Sequence, residues 1–180
     1  MKAGLLIIVF FTLFLSCQKA ERKDLTSTPA VLKIDTSTIA VFNYDTANKL
    51  IKQTFSTGIN ASLKNRDLTK IETALKHIIA ERNWVQIKLF EKFSGEYPEE
   101  NYTLPGFIIN EKNYVRRYLV IKNARGEKEI FVSLICDDIA PYLDWRKDLR
   151  EGHGGGTCLF SFKLNFTTNK YYDVYFHAEA

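Results

Sequence analysis

Apolar residues recur at helical spacing at Leu68, Ile71, Leu75, Ile78 and Ile79. This predicts an amphipathic helix over 67–82. Thr69 and Glu72 form a Thr-x-x-Glu capping box, Asp67 is a rival cap, and Asn83 reads as the end of the run. The stripe covers one face only, so the helix must lie on something, and a sheet is the obvious partner. Alternation of period two marks strands over 38–44, 114–121, 129–136, 157–166 and 171–177. The joins 122–128 and 167–170 are short enough for antiparallel hairpins. Segment 84–90 alternates as well, with Val85, Ile87 and Leu89 on one side. Segment 50–55 fits either a second strand or a helical stripe of Ala47, Leu50, Ile51 and Phe55, and the hairpin is preferred. Residues 94–105 read as a loop and 141–145 as a single helical turn. The pattern predicts one α+β domain over 30–180: an antiparallel sheet of four or more strands, with one main helix packed on a face.

The amino terminus follows a different pattern. Lys2 precedes an uncharged stretch of 14 residues, 3–16. As a helix it would reach ~21 Å, short of the ~30 Å hydrocarbon core of a bilayer. It reads as the apolar region of an export signal. Cleavage after Ala20 would put Gln18 at the −3 position, which suits ordinary secretion poorly. A spanning anchor would need about five more apolar residues. Residues 17–29 are polar and aperiodic, as a tether would be.

Composition changes this picture little. Of 180 residues, 46% are hydrophobic and 26% charged, which excludes collagen-like, disordered and multi-pass membrane classes. The net charge of +4 is spread without a basic block, so nucleic acid is not expected as a partner.

Of the three cysteines, Cys17 closes the apolar leader, and Cys136 and Cys158 lie in the predicted domain. Each of the latter two lies in phase with an apolar strand face, so a disulfide is geometrically allowed if the two strands are neighbours; buried free thiols are the other reading. There is no Cys-x-x-Cys, and His77, His153 and His177 share no ligand spacing, so neither metal nor cofactor is expected.

Candidate chemistry is sparse. His153–Gly156 matches the HGGG string of esterases, but no Gly-x-Ser-x-Gly accompanies it. A permissive backbone leading into the next strand is the plainer reading. Asp137, Asp138 and Asp144 are dense enough for acid–base work or a weak cation site, yet read as loop carboxylates. Ser133 and Ser161 have no His nearby in sequence. On the strand 114–121, Tyr114, Arg116 and Tyr118 share a face and Arg117 points the other way. That basic-aromatic trio is the candidate binding surface, able to stack on a sugar or base or to grip a carboxylate. Tyr171, Tyr172, Tyr175 and Phe176 put aromatics on both faces of the last strand, which calls for cover or a partner. The sequons at Asn60, Asn101 and Asn165, and the Asp45-Thr46-Ala47 string, are short enough to be incidental.

The string Phe14-Leu15-Ser16-Cys17-Gln18-Lys19 resembles the lipobox of Bacteroidetes-type lipoproteins. The resemblance implies cleavage after Ser16, a diacylglycerol thioether on Cys17 and acylation of the new amino terminus. Phe14 stands where Leu is commoner. The stretches NYVRRYLVIKNARGEKEIFVSLIC and GGGTCLFSFKLNFTTNKYYDVYFHAEA, and more loosely LTKIETALKHIIAERN, are similar to a group of small lipoproteins of that type with no assigned activity. Glu151-Gly152-His153 and His177-Ala178 depart from its pattern. The likeness implies a bacterial envelope protein, lipid-anchored in the outer membrane, and supplies no catalytic residues. The expected function is non-catalytic binding of a ligand or another envelope protein, through the sheet face or the 94–112 loop. The alternatives are an immunity-type inhibitor of an envelope-targeting toxin, and a small hydrolase whose site the sequence does not assemble.

Overall fold

The computed structural model describes residues 36–45, 48–149 and 155–177. The chain divides into units 1–31 and 32–180, and the described residues all belong to the second. In chain order they form β1 (Ile39–Phe42), α1 (Lys49–Thr54), β2 (Ile59–Asn60), α2 (Asn65–Glu96), β3 (Tyr114–Lys122), β4 (Lys128–Cys136), β5 (Leu159–Asn165) and β6 (Lys170–Phe176). The fold is α+β, with one long helix packed on a six-stranded sheet. The strand order is β1-β3-β4-β5-β6, and β2 also pairs with β3. None of the helices among the described residues is long and apolar enough to cross a membrane.

The run from β3 to β6 is antiparallel: the alternation and short joins predict the β3–β4 and β5–β6 hairpins, and the longer connection 137–158 lays β5 beside β4. The sheet is mostly antiparallel, as expected, with one parallel pairing that the alternation does not reveal. Strand β1 runs parallel to β3, from Ile39 opposite Arg116 to Phe42 opposite Leu119. Parallel pairing needs a long crossover, and the connection through both helices provides it. Since β4 takes one edge of β3, β1 and β2 share the other. The Asn60 side chain locks them together. Its oxygen accepts the Tyr44 N–H at 2.5 Å and its nitrogen donates to the Tyr44 carbonyl at 3.1 Å, as a neighbouring strand would.

Both faces of the sheet are covered. On one, Ile71, Leu75 and Ile78 of α2 pack on Tyr118, Val120, Ile130, Val132, Leu134, Phe160 and Phe162. Full burial of one such aliphatic side chain stabilises by roughly 1.5–3 kcal/mol. On the other, Ile51 and Phe55 cover Leu119, Ile121 and Phe131, while Ala140 and Trp145 lie near Val115, Ile135 and Leu159.

Two local expectations are overturned. Residues 49–54 form α1, not a hairpin strand. The Asn48 side chain accepts the backbone N–H groups of Leu50 at 3.0 Å and Ile51 at 3.3 Å, which caps the turn. Ile51 and Phe55, four apart, then fall on one side. Residues 84–90 are helical too, because α2 runs through Asn83 to Glu96, 32 residues in all. At its start Asp67 accepts the Lys64 backbone N–H at 2.7 Å, so the rival cap does the capping and Glu72 is left for another task. At 1.5 Å per residue α2 is ~48 Å long, whereas a nine-residue strand spans ~31 Å. The overhanging half exposes Trp84, at 66% of its surface, together with Val85 and Ile87.

Segment 97–113 folds back on that overhang. Its Phe107 meets Phe90 edge-on with ring centroids 5.5 Å apart, and Tyr102 lies 6.2 Å from Phe93. Asn83 secures it. The Asn83 side chain accepts the Ile109 N–H at 2.7 Å and donates to the Ile109 carbonyl at 2.9 Å.

Candidate functional site

The candidate site is a cleft at the end of the sheet where β3 begins and β4 ends. One wall is the returning segment around Gly106 and Phe107, and the other is the turn at 155–158. Two hollows of about 390 and 680 Å³ share Gly106, Thr157 and Cys158. Gln86 of α2 reaches the smaller. Asn110, Asn113, Asp137 and Asp138 line the larger, beside the Tyr114 ring. The lining is thus amide, carboxylate and hydroxyl around aromatic surface, a set that hydrogen-bonds a polar ligand while covering its apolar parts.

Covalent and hydrogen bonds set the cleft's shape. Cys136 and Cys158 are joined by a disulfide with their Cα atoms 4.8 Å apart, which ties the end of β4 to the turn before β5. Neighbouring strands made the pairing accessible, as the in-phase spacing allowed. The Tyr114 hydroxyl donates to the Thr157 carbonyl at 2.9 Å, and burial pushes that hydroxyl up to about 12. The Asp137 N–H donates to the Asn113 carbonyl at 2.9 Å. Gly155 has φ +96°, and a Cβ there would meet Leu159 at 3.2 Å, so this turn requires glycine. Donor atoms of Cys136, Asp138 and Cys158 lie within 4.8 Å of one another. With the sulfurs bonded to each other the thiolates a metal would need are absent, and Asp138 stands as a single carboxylate.

The predicted trio on β3 is not a surface. Tyr114, Arg116 and Tyr118 do share a face, but that face lies under α2, with exposures of 6%, 9% and 0%. This corrects the expected binding surface, and the reason is α2 itself. Glu72 waits there for Arg116, whose Nη1 lies 2.5 Å from the Glu72 carboxylate. Burial outweighs the guanidinium and raises the Glu72 carboxyl above its ordinary value. Burial likewise raises the Tyr118 hydroxyl. Tyr114 alone of the three also borders the cleft.

The other candidates disperse. Arg117 is buried on the opposite face, donating to the Asp148 carbonyl at 3.0 Å and to Ser133 Oγ at 2.7 Å. Ser133 stands opposite Ser161 across the β4–β5 ladder. Asp144 pairs with exposed Lys147 at 3.2 Å, away from Asp137 and Asp138. Asn165 holds the 165–168 turn by accepting the Thr167 and Thr168 N–H groups. Cys17, the export segment, Thr46 and His153 lie outside the described residues. Phe107 and Asn110 fall within the 94–112 loop expected to bind, though neither was singled out, while Gln86, on α2, was missed and carries no signal in the sequence.

Compared with protein-family models, curated proteins and solved structures, the chain matches none.

Proposed function

We propose that the chain is a lipid-anchored protein of the bacterial envelope, placed in the outer membrane through Cys17, whose folded domain binds a polar ligand in the cleft between segment 97–113 and the 155–158 turn. The reading of the leader rests on the residues around Cys17. The reading of the domain rests on one observation: a cleft of several hundred Å³ whose two walls are fixed, one by Asn83 and the other by the disulfide. Pre-formed concave sites lined by a few oriented polar groups are where proteins hold small ligands. The two sulfurs that border it are bonded to each other, which favours binding over nucleophilic chemistry. The partner is an envelope component or another envelope protein rather than nucleic acid.

Two experiments test this. Metabolic labelling with a fatty-acid analogue should mark the wild type and not Cys17→Ala; label that survives the substitution overturns the anchor. A photo-crosslinking residue at Asn110 in the membrane-bound protein should give one dominant adduct, competed by excess unlabelled protein. A ladder of unrelated adducts, or the same adduct from a crosslinker at Lys52, overturns the cleft.

A further inference from the structure

A second hollow, of about 320 Å³, lies between the first half of α2 and the β5–β6 hairpin, away from the disulfide. Its helical wall carries Arg66, Lys70, Thr73 and His77, spaced four, three and four residues apart, so they form one stripe along α2. Its floor is apolar, made by Ala74 and Leu164, and its far wall is Asn169 and the Tyr171 ring. No carboxylate is among the described side chains that line it. Asp67, on the same helix, is paired with Lys128. Glu81 stands at the Tyr171 end of the hollow, where it accepts that residue's hydroxyl at 3.3 Å, so the cationic end is the one at Arg66 and Lys70.

Lys70 is held at this rim. Its Nζ donates to the Phe166 carbonyl at 3.0 Å, which fixes the ammonium while leaving two of its three N–H donors for a ligand. The Thr73 hydroxyl gives its proton to the Thr69 carbonyl at 2.9 Å, so it serves as an acceptor, suited to a hydroxyl on the same ligand. An ammonium and a guanidinium one helical turn apart present charge-assisted donors to tetrahedral oxyanions. The apolar floor and tyrosine ring suit the body that such an anion is attached to.

We propose that this hollow binds a phosphomonoester carried on a small polar body, with Arg66 and Lys70 on the phosphate and Tyr171 against the remainder. The proposal is independent of the cleft beside the disulfide. The phosphate could sit on a soluble sugar or on a lipid headgroup, and the two are separable.

The test is a site-resolved NMR titration of the full-length chain with glucose 6-phosphate at constant ionic strength. A parallel flotation assay uses full-length Cys17→Ala protein on phosphatidylcholine vesicles with and without phosphatidic acid. Saturable shifts confined to the Arg66–His77 stripe and Asn169 are expected with the sugar phosphate, or phosphatidate-dependent flotation with the lipid. Either response should weaken at least about tenfold in Arg66→Glu and in Lys70→Glu. Arg66 makes no bond to the hairpin, so its variant stays informative if Lys70→Glu disturbs Phe166. Three outcomes overturn the site: shifts that never saturate, shifts of equal size at Lys122 and Lys147, or variants that respond as the wild type does.

Discussion

Arg116 of β3 and Glu72 of α2, 44 residues apart in the chain, meet beneath the helix with a guanidinium nitrogen 2.5 Å from a carboxylate oxygen. Both are buried. Removing one member of a buried pair leaves a desolvated charge, which costs about 3–5 kcal/mol, whereas replacing both with apolar residues of similar volume is often neutral. Arg116→Ala should therefore destabilise by about 3 kcal/mol or more, and Arg116→Met with Glu72→Leu should restore most of it. Urea unfolding of the three proteins checks this. A double variant as unstable as the single one would show that the pair is a net stabiliser.

The same carboxyl predicts a pH dependence. Its value in the fold lies above the ordinary 4.5 because burial outweighs Arg116. Between the unfolded and folded values, the native state holds a proton that the unfolded chain has lost. The contribution is thus fully present below the ordinary value and is lost as pH rises through the folded one. Unfolding midpoints of wild type minus Glu72→Gln should fall as pH rises from 4 towards neutrality. A flat difference contradicts the shift.

The Asn83 side chain makes two hydrogen bonds to the backbone of Ile109. Asn83→Ala should leave α2 intact, since alanine is the better helix former, and should cost about 1–3 kcal/mol through the unpaired Ile109 groups. Hydrogen exchange should rise across 97–113 and stay slow in β3, β4 and β5. Uniform loss of protection would mean that the segment and the sheet unfold as one.

The Cys136–Cys158 bond closes a loop of 21 residues (158 − 136 − 1). In the chain-entropy account such a loop is worth roughly 3 kcal/mol. Cys136→Ala with Cys158→Ala should lower the urea midpoint to match that of the wild type under reductant. Reductant that leaves the wild-type midpoint in place would show that the bond carries little of the stability.

The hairpins of the second half were legible because two alternating strands, one with Ile130, Val132, Leu134 and Cys136 and the other with Phe160, Phe162 and Leu164, each have a neighbour across a short turn, 122–128 before the first and 167–170 after the second. The first half of α2 was legible from its stripe. Its remainder was not: apolar residues at 85, 87 and 89 satisfy a period of two, and nothing in the string shows that the helix simply continues with Trp84 in solvent. Asn83 looked like a stop because asparagine competes with helical backbone. In the fold that competition is directed at Ile109 instead. Arg116 looked exposed because its partner is set by packing, not by sequence distance. The cleft was illegible for a related reason, since each wall is placed by a bond to a remote residue.

The parallel placement of β1 has a kinetic consequence. Ile39 faces Arg116, 77 positions downstream (116 − 39), whereas β3–β4 and β5–β6 are local hairpins and β4–β5 closes only over residues 137–158. Loop closure makes distant pairings slow, so the C-terminal meander is expected to assemble first and β1 to dock last, sealing the margin of β3. Until then that margin is open to any other extended chain, and the moment of greatest risk for self-association falls late in folding rather than at its start.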